Sequence, residues 1–219
     1  MHRLDSRLAL CASFVRKGAR LADIGTDHAY LPVWLCRCGV CPSAIAADIN
    51  PAPLESGARA VAEAGLTDKI ETRLSNGLRE IRQDEADDIV IAGMGGDLIA
   101  EIIGDCAYTQ DKNKHFILQP MTRSENLLRW LDANGFSVLR QDCCTAAKKC
   151  YTVILTAYTG KTAAHDALYP YLGELRPQEN ETHRRFVYAH IERLRKKAKG
   201  DSRFDAIADA LANRVGETR

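Results

Sequence analysis

Two groups of residues in this chain have side chains and spacings that could do chemistry. The first is "LADIGTDHAYLP", Leu21 to Pro32, where a short apolar run ends in Gly25 and meets Thr26, Asp27 and His28 at once. A strand that ends in glycine and feeds a helix is a usual seat for a nucleotide. A dinucleotide-binding turn wants a second glycine two positions on, so that bare backbone can approach a pyrophosphate. Here that position is Asp27, and the third glycine position is Tyr30. A carboxylate there blocks the approach and repels the anion, which argues against NAD and FAD. A ligand with positive charge and no phosphate meets no such objection. S-adenosyl-L-methionine, with its sulfonium and amino group, is such a ligand.

Other residues extend this site. Asp48 closes "ADIN", 23 residues past Gly25, where an acid can accept both ribose hydroxyls; alone it does not separate NAD from S-adenosylmethionine. Ile49 follows it. Asn76, with Gly77 in "SNG", is placed to hydrogen-bond an adenine edge. "GMGG" (Gly93, Met94, Gly95, Gly96) removes side chains where a methyl group and its acceptor must meet. A tight strand-to-helix turn accounts for one or two of these glycines, but hardly three. Asp23 is expected to partner the donor's amino group; the plainer reading is a hydrogen bond to its own turn. Arg7, with Asp5, reaches over the pocket from an opening helix, or else the two form a salt bridge on that helix.

For the chemistry itself, Asp27 is the first candidate, as a carboxylate that aligns the acceptor and stabilises growing positive charge. His28 positions it or contacts the donor. Gln119 and Met121 flank Pro120 in a rigid corner, expected to offer a backbone carbonyl and an apolar wall to the acceptor. Tyr151 is a candidate stacking ring, with core packing an equally good account.

The second group is basic. Arg184, Arg185, Arg193, Arg195, Lys196, Lys197 and Lys199 face a single acid, Glu192, over sixteen residues. A solvated helix face explains a charged run, but net +6 exceeds what solubility needs and points to a phosphate backbone. The whole chain hides this asymmetry: it carries 30 Lys/Arg and 29 Asp/Glu. Residues 176–219 hold 11 and 7 of them, leaving 19 and 22 in the rest.

These residues need elements to hold them. A helix is expected from about Asp5 to Val15. Strands then alternate with helices through "ARLADIG", "SAIAADIN", "KIETRLSNG", "DDIVIAGMGG" and "HFILQP". Pro32 sits in the first turn of one helix; another runs from Pro51 to Gly65. Ser124 is the expected cap of a third, and Gly135 its stop. "FSVLRQDCC" and "CYTVILTAYTG" have no helix between them and read as an antiparallel pair. The fold class is α/β, a mostly parallel Rossmann-like sheet with helices on both faces. All the unusual clusters fall at the carboxyl ends of its strands, where such sheets bind ligands. After Gly160 a connector leads to Val187, Ile191, Leu194 and Ala198, then Phe204, Ala208, Leu211 and Val215, each set spaced 4, 3, 4. That is a coiled-coil hairpin of two helices. The expected division is a donor-binding domain, 1–160, and a helical appendage, 161–219.

"LDSRL", "LADIGTDHAYLP", "ADIN", "SNGL", "IAGMGG", "ILQPM" and "YTVI" resemble, in order and spacing, the bacterial tRNA (adenine-22-N1)-methyltransferases. The resemblance covers about residues 1–160, and the basic tail is similar to that family's carboxyl-terminal coiled coil. It implies a class I methyltransferase domain, S-adenosyl-L-methionine as donor and a tRNA adenine as acceptor. Asn76 departs from it, since many members have Asp there; an amide can still bond adenine. Adenine N1 lies on the Watson–Crick edge, so the base has to be unpaired or flipped out, and the basic hairpin is the source of phosphate contacts that offset the cost.

The alternatives are a methyltransferase of another RNA base or of a protein, an RNA-binding module without catalysis, and a nicotinamide oxidoreductase. The intact acidic and glycine positions argue against the second, and Asp27 against the third. Composition excludes other classes. No apolar stretch approaches a membrane span, and the amino end breaks its apolar run with charge, so neither a membrane protein nor a secreted one is expected. Eight cysteines in such a chain read as reduced cytoplasmic thiols. Cys36, Cys38 and Cys41 lack a second ligand pair, so no metal is expected. The expected state is a monomer.

Overall fold

The computed structural model describes residues 3–216. Its centre is a seven-stranded sheet. The strands are β1 (Leu21–Ile24), β2 (Ala44–Asp48), β3 (Ile70–Leu74), β4 (Asp88–Gly95), β5 (His115–Thr122), β6 (Phe136–Ala146) and β7 (Lys149–Tyr158). Their order is β3-β2-β1-β4-β5-β7-β6; β1 to β5 are parallel, and β7 runs antiparallel between β5 and β6. The central strands are apolar on both sides because helices cover both sides. Ile24, Ala47, Ile89, Ile91, Phe116 and Leu118 pack under α4 (Gly96–Gly104) and α5 (Ser124–Ala133). Leu21, Ala46, Val90, Ile117 and Val153 pack under α1 (Ser6–Ala12), α2 (Tyr30–Arg37) and α3 (Pro51–Glu63).

Two helix ends differ from expectation. The opening helix stops at Ala12 rather than Val15, and Asp5 caps it by accepting from the Leu8 amide at 2.9 Å. Phe14 and Val15 leave the helix for the core, while Arg16 turns to the fully buried Asp88, donating from its amide and its Nε at 2.7 Å each. Ser124 is the first helical residue of α5 instead of its cap. Arg123 takes the cap position at φ +55°, and the Ser124 hydroxyl lies 3.4 Å from His190 Nε2. The last glycine of "GMGG" has its reason in the same place: a Cβ on Gly96 would overlap the Arg123 carbonyl.

Beyond β7, a short α6 (Tyr169–Leu172) lies within the connector, then α7 (Glu181–Ala198) and α8 (Arg203–Val215) fold back on each other. Val187, Ile191 and Leu194 meet Ala208, Leu211 and Val215 at the expected spacing. The hairpin also leans on the sheet: His183 Nε2 lies 2.9 Å from Asp142 Oδ1 on β6, and Phe186 packs on Cys143. No helix among the described residues is long and apolar enough to cross a membrane.

Candidate active site

The chain order reverses between β1 and β4, and ligands in such sheets bind outside the strand ends at that point. A cavity of about 420 Å³ opens there. Arg7, Asp23, Gly25, Thr26, Asp27, His28 and Gly93 all line it, with Asp5. Local geometry explains the placement. Gly25 and Thr26 donate to the Ala47 carbonyl at 2.8 and 2.9 Å, which bends the chain off the sheet edge. Gly25 sits at φ +77°, and a Cβ there would overlap the Met94 Cε that packs against it.

Asp23 is the electrostatic centre of this cavity. Burial pushes its carboxyl up to about 6; the Asp48 charge adds to the rise, and the Thr26 hydroxyl offsets part of it. Among the described residues no well-formed hydrogen bond satisfies that hydroxyl: Thr26 Oγ1 is buried without a partner there. A buried carboxylate and an orphaned hydroxyl facing one cavity suit a cationic, hydrogen-bonding ligand. The donor set therefore fits the methionine end of S-adenosylmethionine. Asp27 and His28 stand at the rim, 3.4 Å apart, with His28 stacked on Tyr30 at 5.1 Å between ring centres.

Asp48 ends β2, with Oδ1 accepting from the Asn50 amide at 2.7 Å. Beside it the surface is apolar: Ile49, Leu74 and Leu98 are among the exposed large hydrophobic residues. Asn76, Gly77 and Leu98 share a hollow of about 480 Å³ with Ile102. Leu98 and Ile102 place an apolar wall beside the Asn76 amide, which suits one face of an aromatic ring, while Arg79, Arg82, Glu101 and Asp105 also line the hollow. Leu98 carried no sequence signal, because a leucine in a helix reads as core.

The predicted corner Gln119–Met121 differs from expectation in one respect. Gln119 is fully buried, so its side chain does not face an acceptor. Its Oε1 accepts from Arg7 Nη1 and from the Gly93 amide, both at 3.2 Å, and its Nε2 donates to the Pro120 carbonyl at 3.0 Å. Hence one of the corner's backbone carbonyls, that of Pro120, already accepts a hydrogen bond. Pro120, Met121 and Tyr151 instead line a cleft of about 430 Å³ between the sheet and α7. Gly95 lies near the same corner, its Cα facing Thr122 Oγ1.

This cleft divides the basic run. Arg185, Arg193 and Lys196 line it, with Arg123, Lys148 and Lys149, and Glu192 is the one acid among its described residues. Arg184 is spent on the Pro177 and Gln178 carbonyls at 3.0 and 3.2 Å, and Lys197 lies 5.6 Å from the Phe204 ring centre. Arg195 and Lys199 do not line the cleft either. Lys148 and Lys149 were missed. Lys148 is in a two-residue hairpin turn with Ala147, both at positive φ (+66° and +45°), and Lys149 begins β7 beside it. "KK" between two strands was the available signal. Arg123 pairs with Asp97. Burial raises the Cys36 and Cys41 thiols to about 11 and about 12, which disfavours the thiolates a metal needs. Among the described residues no three His, Cys, Asp or Glu side chains gather as a metal site.

Comparison with known proteins adds to this geometry. A family described as "Methyltransferase domain" matches residues 4–154. The tRNA (adenine(22)-N(1))-methyltransferase of Bacillus subtilis (strain 168) is 35% identical over 166 residues, covering 76% of this chain and 70% of that one. A Streptococcus pneumoniae structure in complex with S-adenosyl-L-methionine superposes with a TM-score of 0.89 at 31% identity, covering 97% of this chain and 100% of the other. The M. capricolum structure of TrmK with the cofactor product S-adenosyl-homocysteine gives 0.79 at 26% identity, covering 98% and 96%.

Proposed function

The chain belongs to the methyltransferase-domain family and, within it, to the tRNA (adenine(22)-N(1))-methyltransferases; from that membership we propose that it methylates N1 of adenine 22 in tRNA, with S-adenosyl-L-methionine as donor. Residues 1–160 are the catalytic domain and 161–219 the tRNA-gripping appendage of a cytoplasmic enzyme. The observation that carries the reading is the pairing of an acidic donor cavity at the switch point with a cation-lined cleft beside it.

When bound, the donor supplies an electrophilic methyl group on a sulfonium. Adenine N1 has a free lone pair, so attack needs no prior deprotonation. The chain's task is to align and to stabilise charge. Asp23 holds the donor's amino group and Asp48 its ribose. Ile49, Leu98, Asn76 and Gly77 surround its adenine. Asp27, at the rim, faces the growing positive charge on the acceptor ring. Met121 and Tyr151 offer the flipped base an apolar wall and a ring face. Arg185, Arg193, Lys196, Lys148 and Lys149 hold phosphates, offsetting the few kcal/mol of unstacking.

The test is an unmodified tRNA transcript carrying A22, treated with the protein and donor, digested and mapped by mass spectrometry. The expected result is one N1-methyladenine at position 22. A methyl group on another base, or only on added protein, would replace this reading with a different acceptor.

A further inference from the structure

Arg7 lines the donor cavity, and its guanidinium reaches the wall of the acceptor cleft. Its Nη2 donates to Asp5 Oδ2 at 2.7 Å, and its Nη1 donates to Gln119 Oε1 at 3.2 Å and to Met121 Sδ at 3.3 Å. The group also lies 5.7 Å from the centre of the Tyr151 ring. Met121 and Tyr151 are cleft residues. Gln119 continues the chain of contacts, since the oxygen that receives Arg7 also receives the Gly93 amide at 3.2 Å, and Gly93 lines the donor cavity. Its nitrogen fixes the Pro120 carbonyl. Because Gln119 is fully buried, it cannot release one partner without stranding a polar atom away from water.

Charge says what connects this device to the ligand. Among the described residues lining the donor cavity, Arg7 is the only Arg or Lys, whereas Asp5, Asp23 and Asp27 are acids. The amino-acid end of an S-adenosyl donor carries one carboxylate. Pairing that carboxylate falls to Arg7, whose five N–H groups allow one edge to take it while another keeps Gln119. An occupied cavity then restrains the same guanidinium that supports Met121 and Tyr151.

We propose that Arg7 and Gln119 are positioning residues that couple the two hollows, so that a filled donor cavity holds the Pro120–Met121 corner and the Tyr151 ring ready for the acceptor, and donor and tRNA tighten each other's binding. The proposal rests on the methyltransferase reading above. Coupling of this kind is reciprocal, and typical couplings start at about fivefold.

The experiment measures tRNA affinity with and without saturating S-adenosylhomocysteine, and S-adenosylhomocysteine affinity with and without tRNA. Wild type is expected to show the same factor both ways, about fivefold or more. Arg7→Gln should bring both factors close to one. Arg7→Lys keeps the charge but not the fork, so it should retain most donor affinity and still lose the coupling. Arg185→Gln, in the cleft but outside this network, should weaken tRNA binding and leave the factor intact. Thermal melts establish that each variant is folded. Independent binding in wild type, or full coupling in folded Arg7→Gln, overturns the proposal. Wild-type protein that binds neither ligand would instead sink the functional reading on which it rests.

Discussion

The proposed pairing of Asp23 with the donor's amino group predicts a pH dependence of donor binding that can be worked out beforehand. In the ligand-free protein its carboxyl titrates near 6, chiefly because it is buried. An ammonium placed against it favours the ionised form. Donor affinity should therefore rise with pH through about 6 and level off above. At pH 5 about one carboxyl in ten is ionised, so affinity should be about tenfold weaker than at pH 7, or about 1.4 kcal/mol. The window from 5 to 7 lies below the titration of the donor's own amine.

The same shift has a consequence for stability. The folded-state value of about 6 lies above the ordinary aspartate value of 3.8, so the ligand-free fold holds a proton that the unfolded chain releases first. The stabilising contribution is complete below about 4 and lost as pH rises through 6. The ionised residue then costs on the order of 3 kcal/mol at pH 7, the value of about two pKa units. Asp23→Asn removes both effects. It should raise the melting temperature of the ligand-free protein at pH 7, weaken donor binding there by about 10- to 100-fold through loss of a charged hydrogen-bond acceptor, and flatten the pH dependence. Calorimetric titration of S-adenosylhomocysteine from pH 5 to 7, with melts of both proteins, measures all three. A wild-type affinity that does not change across that range, or an equal slope in Asp23→Asn, would refute the assignment.

Further predictions concern single groups. Asp48→Ala should weaken donor binding by about 1.5–3 kcal/mol in a folded protein, the worth of a charge-assisted hydrogen bond, as read by calorimetry. Asp27→Asn should lower single-turnover methylation about ten- to a thousandfold while tRNA affinity holds, the scale of lost electrostatic stabilisation; a near-normal rate would leave Asp27 as a loop residue only. Exchanging Arg185, Arg193 and Lys196 together for Gln should make the slope of log affinity against log salt shallower by about 0.7–0.9 per lost phosphate contact. The matching exchange of Arg195, Lys197 and Lys199 should change it far less, and equal effects would show that the cleft is not where the RNA lies.

Strand and helix alternation, the seam of the hairpin and the location of the donor site could all be read along the chain, because each rests on local periodicity or on contiguous residues. Gly25, Asp27 and His28 are neighbours in sequence, and the ends of parallel strands meet at one edge whatever the helix lengths. Asp23's raised carboxyl follows from depth, which no spacing reports. The donor cavity and the acceptor cleft depend on residues far apart in sequence: Arg7 bonded to Gln119, Lys149 and Lys196 lining one cleft, His183 beside Asp142. A helical run of seven cations shows charge on several faces; only the packing of α7 against β6 and β7 decides that Arg185, Arg193 and Lys196 look into the cleft while Arg184 and Lys197 are spent elsewhere. Gln119 shows the same limit from within. Its place beside Pro120 suggested a corner facing the acceptor, but its own fully buried amide is bonded to Arg7 and Gly93, because a polar group in the core must satisfy its neighbours.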